Sequence, residues 1–265
     1  MLRPVLCTVL AVLLAGSAAA QVTAIRPAEL YLARGDSLHD ALEPEQALEA
    51  YKTALEIGPG GVEVLWRAAR SQVDVAKQII GDRDSIRQVR DSAYTVAREF
   101  AERAVAADSL NADAHFALAL ALGQLSRTRG GRERVRFARD IYDATARALA
   151  LNPDHDGALH ILGAWHAEVK RLSGFTRFLA KTFLGAGFMG RAHWDSAAVH
   201  LERAVATKPT YLFHRLELAE IYVDMDRYAE ARDQLRAIPD LPDSDVLDPR
   251  YRETAANLLE EITDK

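Results

Sequence analysis

Alanine-rich helix turns that run into a breaker recur along the chain, as Ala54-Leu55-Glu56-Ile57-Gly58-Pro59, Ala104-Val105-Ala106-Ala107-Asp108-Ser109, Ala148-Leu149-Ala150-Leu151-Asn152-Pro153 and Ala204-Val205-Ala206-Thr207-Lys208-Pro209. Such self-similarity constrains the fold more than any other feature, because one repeat cannot bury its apolar face alone and must stack on its neighbours. Counting back from each end reveals two more recurring places. The first falls on Gly35, Ala69, Ala119, Gly163 and Ala219, and the second on Ala47, Ala97, Ile141, Ala197 and Ala231. The third, at the ends themselves, falls on Ala54, Ala104, Ala148, Ala204 and Ile238, so that thirteen of the fifteen residues are Ala or Gly. Helices in contact lie about 8–10 Å apart, and their closest approaches leave room for no side chain larger than a methyl group. The spacing is a steric requirement of paired helices.

The arrangement resembles the tetratricopeptide repeat, with small residues at positions 8, 20 and 27 where helices A and B touch, and proline at position 32. The resemblance implies an all-α solenoid of about five helical hairpins, with repeats near 28–61, 62–111, 112–155, 156–211 and 212–245. Composition agrees, since Ala, Leu, Arg and Glu are abundant while Val and Ile rarely alternate with polar residues. Position 27 advances by 50, 44, 56 and 34 residues, against a module of about 34. Three repeats therefore carry 16, 10 and 22 extra residues. Positions 8 and 20 stand 12 apart in the first and last repeats but 28, 22 and 34 apart in the others, which places the extra length between helices A and B, along one edge of the stack. The first two insertions are expected to lengthen helices, Val62 to Ile80 and Ser85 to Ala107 around Gly81-Asp82-Arg83-Asp84, with Gly130-Gly131 punctuating the next pair. After Pro239-Asp240-Leu241-Pro242-Asp243, Asp248 is expected to cap a final helix over 248–262 with Pro249 at its first position. That helix would close the open end of the stack.

The first twenty residues have the layout of a secretory signal. Arg3 supplies the positive start, Val5 to Ala15 the apolar run, and Ala18, Ala19 and Ala20 the small residues that a signal peptidase accepts. The run is 11 residues long, whereas a spanning helix needs roughly 20. Residues 1–20 are thus expected to leave by cleavage near Ala20, placing a repeat domain over 21–265 in the periplasm or outside the cell, with no transmembrane segment in the mature chain. The single cysteine, Cys7, would leave with the signal, which excludes disulfides and thiolate chemistry. Loss of Arg3 leaves 32 basic against 38 acidic residues, a net charge of −6. Such a balance does not suit a generic nucleic-acid or anionic-membrane binder.

The fourth repeat narrows the resemblance. Leu162-Gly163-Ala164-Trp165, Val169, Leu172, Phe175, Phe178 and Phe183-Leu184-Gly185 look like the segment that marks the regulator of microtubule dynamics family of tetratricopeptide proteins. In repeat layout the resemblance spans roughly residues 25 to 240, and it implies the solenoid fold and a binding role. The chain departs from the eukaryotic cytoplasmic members that give the family its name by carrying an export signal.

No residue pattern carries catalysis. His166-Ala167-Glu168 matches half of a zinc deaminase signature whose Cys-x-x-Cys half is missing, and His160 and His166 lie six apart, on different helix faces. No His-Glu-x-x-His, Gly-x-Ser-x-Gly elbow, Walker loop or dinucleotide fingerprint occurs. We therefore expect no enzyme activity, no cofactor and no metal. Arg127, Arg129, Arg132, Arg134, Arg136 and Arg139 form the densest cationic run, read either as an anion clamp or as the solvated face of the second insertion.

Stacked A helices generate a continuous concave surface. Its lining is expected to include Leu32, Trp66, Phe116, His160 and Leu216 with Arg70, Leu120, Phe213 and Glu220. This groove would hold a peptide or protein partner, or an apolar or lipid ligand; alternatively, the chain's own insertion fills it. The third insertion, residues 172–192, concentrates Phe175, Phe178, Phe183, Leu184 and Phe188, too apolar a set for a solvated loop. It is expected to act as a lid over the groove near Phe116, Leu120 and Leu216. The reading that results is a protein-interaction scaffold, with a lipid-binding module as the alternative.

Overall fold

The computed structural model describes residues 26–58 and 61–265. The expected signal peptide, its cleavage near Ala20, Cys7 and the breaker Pro59 lie outside the described residues. Each triplet of small residues marks one helical hairpin. In the first, α1 (Pro27–Asp40) packs on α2 (Pro44–Ile57). The second joins α3 (Val62–Lys77) to α4 (Asp84–Ala107), and the third α5 (Ala112–Ser126) to α6 (Gly131–Leu151). In the fourth, α7 (Asp156–Arg171) pairs with α9 (Trp194–Thr207) across an insertion that holds α8 (Gly174–Phe183) and a 3-10 turn at Gly187–Arg191. The fifth pairs α10 (Leu212–Asp224) with α11 (Tyr228–Ala237), and α12 (Asp248–Glu261) packs on both. The described residues thus form a tetratricopeptide solenoid of five hairpins.

The small residues hold the hairpins together as their spacing requires. All eleven alanines at the three repeat positions are 0% exposed, and Gly35 and Gly163 are buried as well. A Cβ on Gly163 would lie 1.8 Å from Leu201 Cδ2 and 3.0 Å from the Ala197 carbonyl, and one on Gly35 would lie 2.3 Å from the Tyr51 ring. Both approaches are too close for any larger residue. The two exceptions, Ile141 and Ile238, are also buried.

The turns divide the hairpins into two kinds. In the first and fifth, helix A meets helix B through a short turn whose central residue, Leu42 or Asp226, has a φ near +60° (60° and 57°). Both stand seven residues after the small residue of helix A. Each longer connection instead turns at a glycine of positive φ, Gly81, Gly131 or Gly185, where a Cβ would be strained.

Two local expectations are corrected. Helix α3 stops at Lys77 rather than Ile80; Arg90 donates to the Ile79 carbonyl, and Ile80 has nothing to bury its side chain against, remaining exposed. Asp248 is the first residue of α12 and not its cap. Its carboxylate turns backward and accepts from the amides of Ser244 at 2.6 Å and Asp245 at 2.9 Å, tying the helix to the preceding turn.

Candidate interaction groove

Helices α1, α3, α5, α7 and α10 present the inner face. On α1, Leu32 is half-buried against the core of the first hairpin. On α3, Trp66 is buried and donates from Nε1 to Glu63 at 3.2 Å, with the guanidinium groups of Arg67 and Arg70 4.2 and 5.1 Å from its ring. Arg67 is paired with Asp36 at 2.8 Å and with Glu63. Arg70 differs: its buried Nε has no hydrogen-bond partner among the described residues. On α5, Phe116 lies 4.6 Å from the His155 ring and occupies the space that a side chain at Gly157 would need. Leu120 is half-buried against the central core.

Further along, His160 Nδ1 stands 3.0 Å from His214 Nδ1, and His214 Nε2 stands 3.1 Å from Asp156. Burial, with the neighbouring His214, pushes His160 well below the usual imidazole range, so the pair is held neutral. Phe213 lies 4.8 Å from His160 and stacks on Tyr251 of α12 at 4.3 Å. The structure thus gathers Trp66 with Arg70, and His160 with Phe213. Leu216 does not line the groove. It is 2% exposed, in a core cluster to which α9, α10, α11 and α12 all contribute.

The middle of the inner face is occupied by the chain's own C-terminal segment. Lys77, at the end of α3, lies 3.1 Å from Asp74 and 3.2 Å from Asp245, and Tyr211 donates to the same Asp245 oxygen at 2.8 Å. Burial alone would lower the Lys77 pKa, but the two carboxylates outweigh it and hold the ammonium charged. Asp245 is likewise buried yet held below the usual carboxylate range by Lys77, the Leu247 amide and Tyr211. Sequence reasoning missed this contact because its partners lie 168 residues apart. The only trace was a buried Asp and Lys on the apolar face of α3.

Glu220 belongs to a second cluster. Arg171 reaches Glu168, Glu217, Glu220 and Asp224 at 2.9, 3.8, 4.0 and 2.8 Å. Burial, reinforced by Glu220, raises Glu217 to about 7 despite Arg171.

The described part of the third insertion packs on α6 and α7, with Leu184 and Phe188 in a core cluster that also holds Leu120 but neither Phe116 nor Leu216. Phe188 lies 6.2 Å from Trp165, under the Arg139 guanidinium at 4.9 Å, and Arg139 donates to the Gly185 carbonyl at 2.8 Å. Leu184 packs on the same cluster, while Phe178 is 61% exposed. The reason is local: Trp165 donates to the Ala138 carbonyl at 2.7 Å and lies 4.8 Å from the Tyr142 ring, forming an apolar shelf against which Leu184 and Phe188 pack. Helix α8 is described, but the side chains of Phe175 and Phe183 lie outside the described residues.

The model of the regulator of microtubule dynamics protein 1-3 family matches residues 31–263. The chain belongs to that family. The bovine (Bos taurus) regulator of microtubule dynamics protein 1 is 27% identical over 89% of this chain and 73% of its own. Regulator of microtubule dynamics protein 3 of Xenopus laevis is 27% identical over 87% of this chain and 49% of its own. Among solved structures, a thermophilic TPR protein of Thermus thermophilus aligns over 88% of this chain and 99% of its own, with a TM-score of 0.63 at 22% identity. The pilF protein of Pseudomonas aeruginosa aligns over 88% of this chain and 85% of its own, with a TM-score of 0.51 at 16% identity. These likenesses establish a TPR fold for this family member. Among the described residues no helix is long and apolar enough to cross a membrane.

Proposed function

We propose that the chain is a non-enzymatic scaffold that holds an extended segment of a partner protein against the part of the groove formed by α3 and α5, at Trp66, Arg70 and Phe116. The observation that carries this reading is Arg70. Its Nε is buried, has no acceptor among the described residues, and stands beside an indole ring. An unsatisfied buried donor costs about 1–3 kcal/mol, and a partner's carbonyl or carboxylate would remove that cost. Tyr211 and Asp245 already occupy the inner face at the Lys77 end of α3, which supports a site confined to the Trp66 end. The layout of residues 1–20 supports an exported scaffold whose partner lies in the periplasm or outside the cell. On that reading, the microtubule role in the relatives' name would not carry over.

Native mass spectrometry of the protein purified from its own host separates a polypeptide companion from a lipid one by mass. Arg70→Ala should weaken a polypeptide companion at least about tenfold, whereas Val199→Ser, at an exposed position of α9, should leave it unchanged. A lipid mass, or a companion that survives Arg70→Ala, overturns the groove reading. An N-terminal sequence beginning elsewhere than Gln21 overturns the export reading.

A further inference from the structure

The chain carries a net charge of −5, yet residues 127–139 and 172–192 together hold nine cations and one carboxylate. The fold brings these two segments to one edge, since Arg139 of the first binds the Gly185 carbonyl and covers Phe188 of the second, and Arg191 of the second lies over Tyr142 of α6. Some of the nine are used internally. Arg129 pairs with Asp91 and Glu133, Arg136 lies 3.9 Å from Glu133, and Arg177 donates to the carbonyls of Lys170 and Leu172, closing the end of α7. Arg132, Arg134, Lys181 and Arg191 are exposed, and among the described residues none has a carboxylate within ion-pair distance. Phe178, three residues before Lys181 on α8, stands 61% exposed.

We propose that this edge docks on an anionic lipid bilayer, with the basic side chains meeting headgroups and the Phe178 ring entering the interface. The choice of occupant follows from exposure and chemistry. The free cations are exposed on two segments that the fold joins, and the exposed aromatic ring of Phe178 on one of them suits the headgroup boundary of a membrane. Basic residues near an anionic surface strengthen binding severalfold each, within about a Debye length. The surface is separate from the α3–α5 groove, so the two readings fail independently.

Cosedimentation of the protein with mixed phosphatidylcholine–phosphatidylglycerol vesicles tests it. Binding should be absent on pure phosphatidylcholine and should fall as salt rises. Arg132→Glu with Arg134→Glu should weaken it at least about tenfold, and Arg70→Ala should not change it. Because these arginines and Phe178 are exposed, the variants should melt like the parent. Phe178→Trp should add fluorescence that shifts to the blue on anionic vesicles. Equal binding to both vesicle types, or none to either, overturns the proposal. So does charge-dependent binding that polyglutamate displaces without any Phe178→Trp shift, which would make the edge a site for acidic polypeptides.

Discussion

Two buried seams hold this solenoid, and they rest on different physics. Where α7 meets α9, Gly163 and Ala197 bring the backbones so close that a methyl group on Gly163 would collide with Leu201. Where α3 meets the C-terminal segment, Lys77 bridges Asp74 and Asp245 beneath the Tyr211 hydroxyl. The first seam is a matter of shape, although His166 of α7 and His200 of α9 stack across it at 5.7 Å and burial holds both below the usual imidazole range. The second removes three charges from water and depends on each finding its partner. The difference teaches that the hairpins would form and stack without the closure, whereas the closure cannot form until the stack has set its curvature.

Removing the charge at the centre of the closure should have the largest effect. Lys77→Met leaves two buried carboxylates facing one another and should cost about 3–5 kcal/mol, as breaking a buried pair does. Denaturant unfolding measures the cost, and hydrogen exchange should show residues 244–261 opening before the hairpins. Adding Asp245→Asn should return part of the stability. If exchange rises evenly along the chain, the two seams are one cooperative unit and the contrast fails.

Overpacking the shape seam comes next. Gly163→Leu should cost about 1–3 kcal/mol, by the same amount at pH 7.5 and pH 9, above the range in which His166 and His200 titrate. A pH-dependent cost would mean that the seam is not held by packing alone.

A third test uses Glu217, which packs near Arg171. Its folded pKa, about 7, lies above its ordinary 4.5, so the folded state binds the extra proton. Its contribution to stability is therefore full below pH 4.5 and is lost as the pH rises toward 7. Glu217→Gln should flatten that slope and raise stability at pH 8 by roughly 1–3 kcal/mol. Thermal melts of the two proteins across pH 4.5–8 check the sign.

The smallest effect belongs to Tyr211→Phe, which takes one donor from Asp245 and should cost about 1 kcal/mol, again most visible as faster exchange near residues 244–248. An effect as large as that of Lys77→Met would assign the closure to the hydroxyl rather than to the ammonium.

Much of the fold was legible in the residues. The hairpins follow from Ala and Gly at repeating intervals, since a steric demand between neighbouring helices leaves its mark at fixed spacing. The insertion lengths follow from the same count. The groove was legible only in part. Trp66, Arg70, Phe116 and His160 could be placed on the inner face by register, but register cannot say which inner-face residues stay accessible, and Leu216 proved to be core. The lid was placed only in part, for a related reason: the density of phenylalanine over 175–188 announces a need for burial without saying against what, and Trp165 with Tyr142 offered the shelf.

By itself, then, the sequence determined the helices, their pairing and the edge from which the insertions project, because each depends on contacts within about one repeat. Tertiary structure alone decided that the groove is half closed. The meeting of Lys77 with Asp245 and Tyr211 depends on the accumulated rotation of successive hairpins, a small angle per repeat that no local pattern records. The gathering of cations on one rim has the same origin, since Arg139 and Gly185 become neighbours only once α6 and α7 have packed.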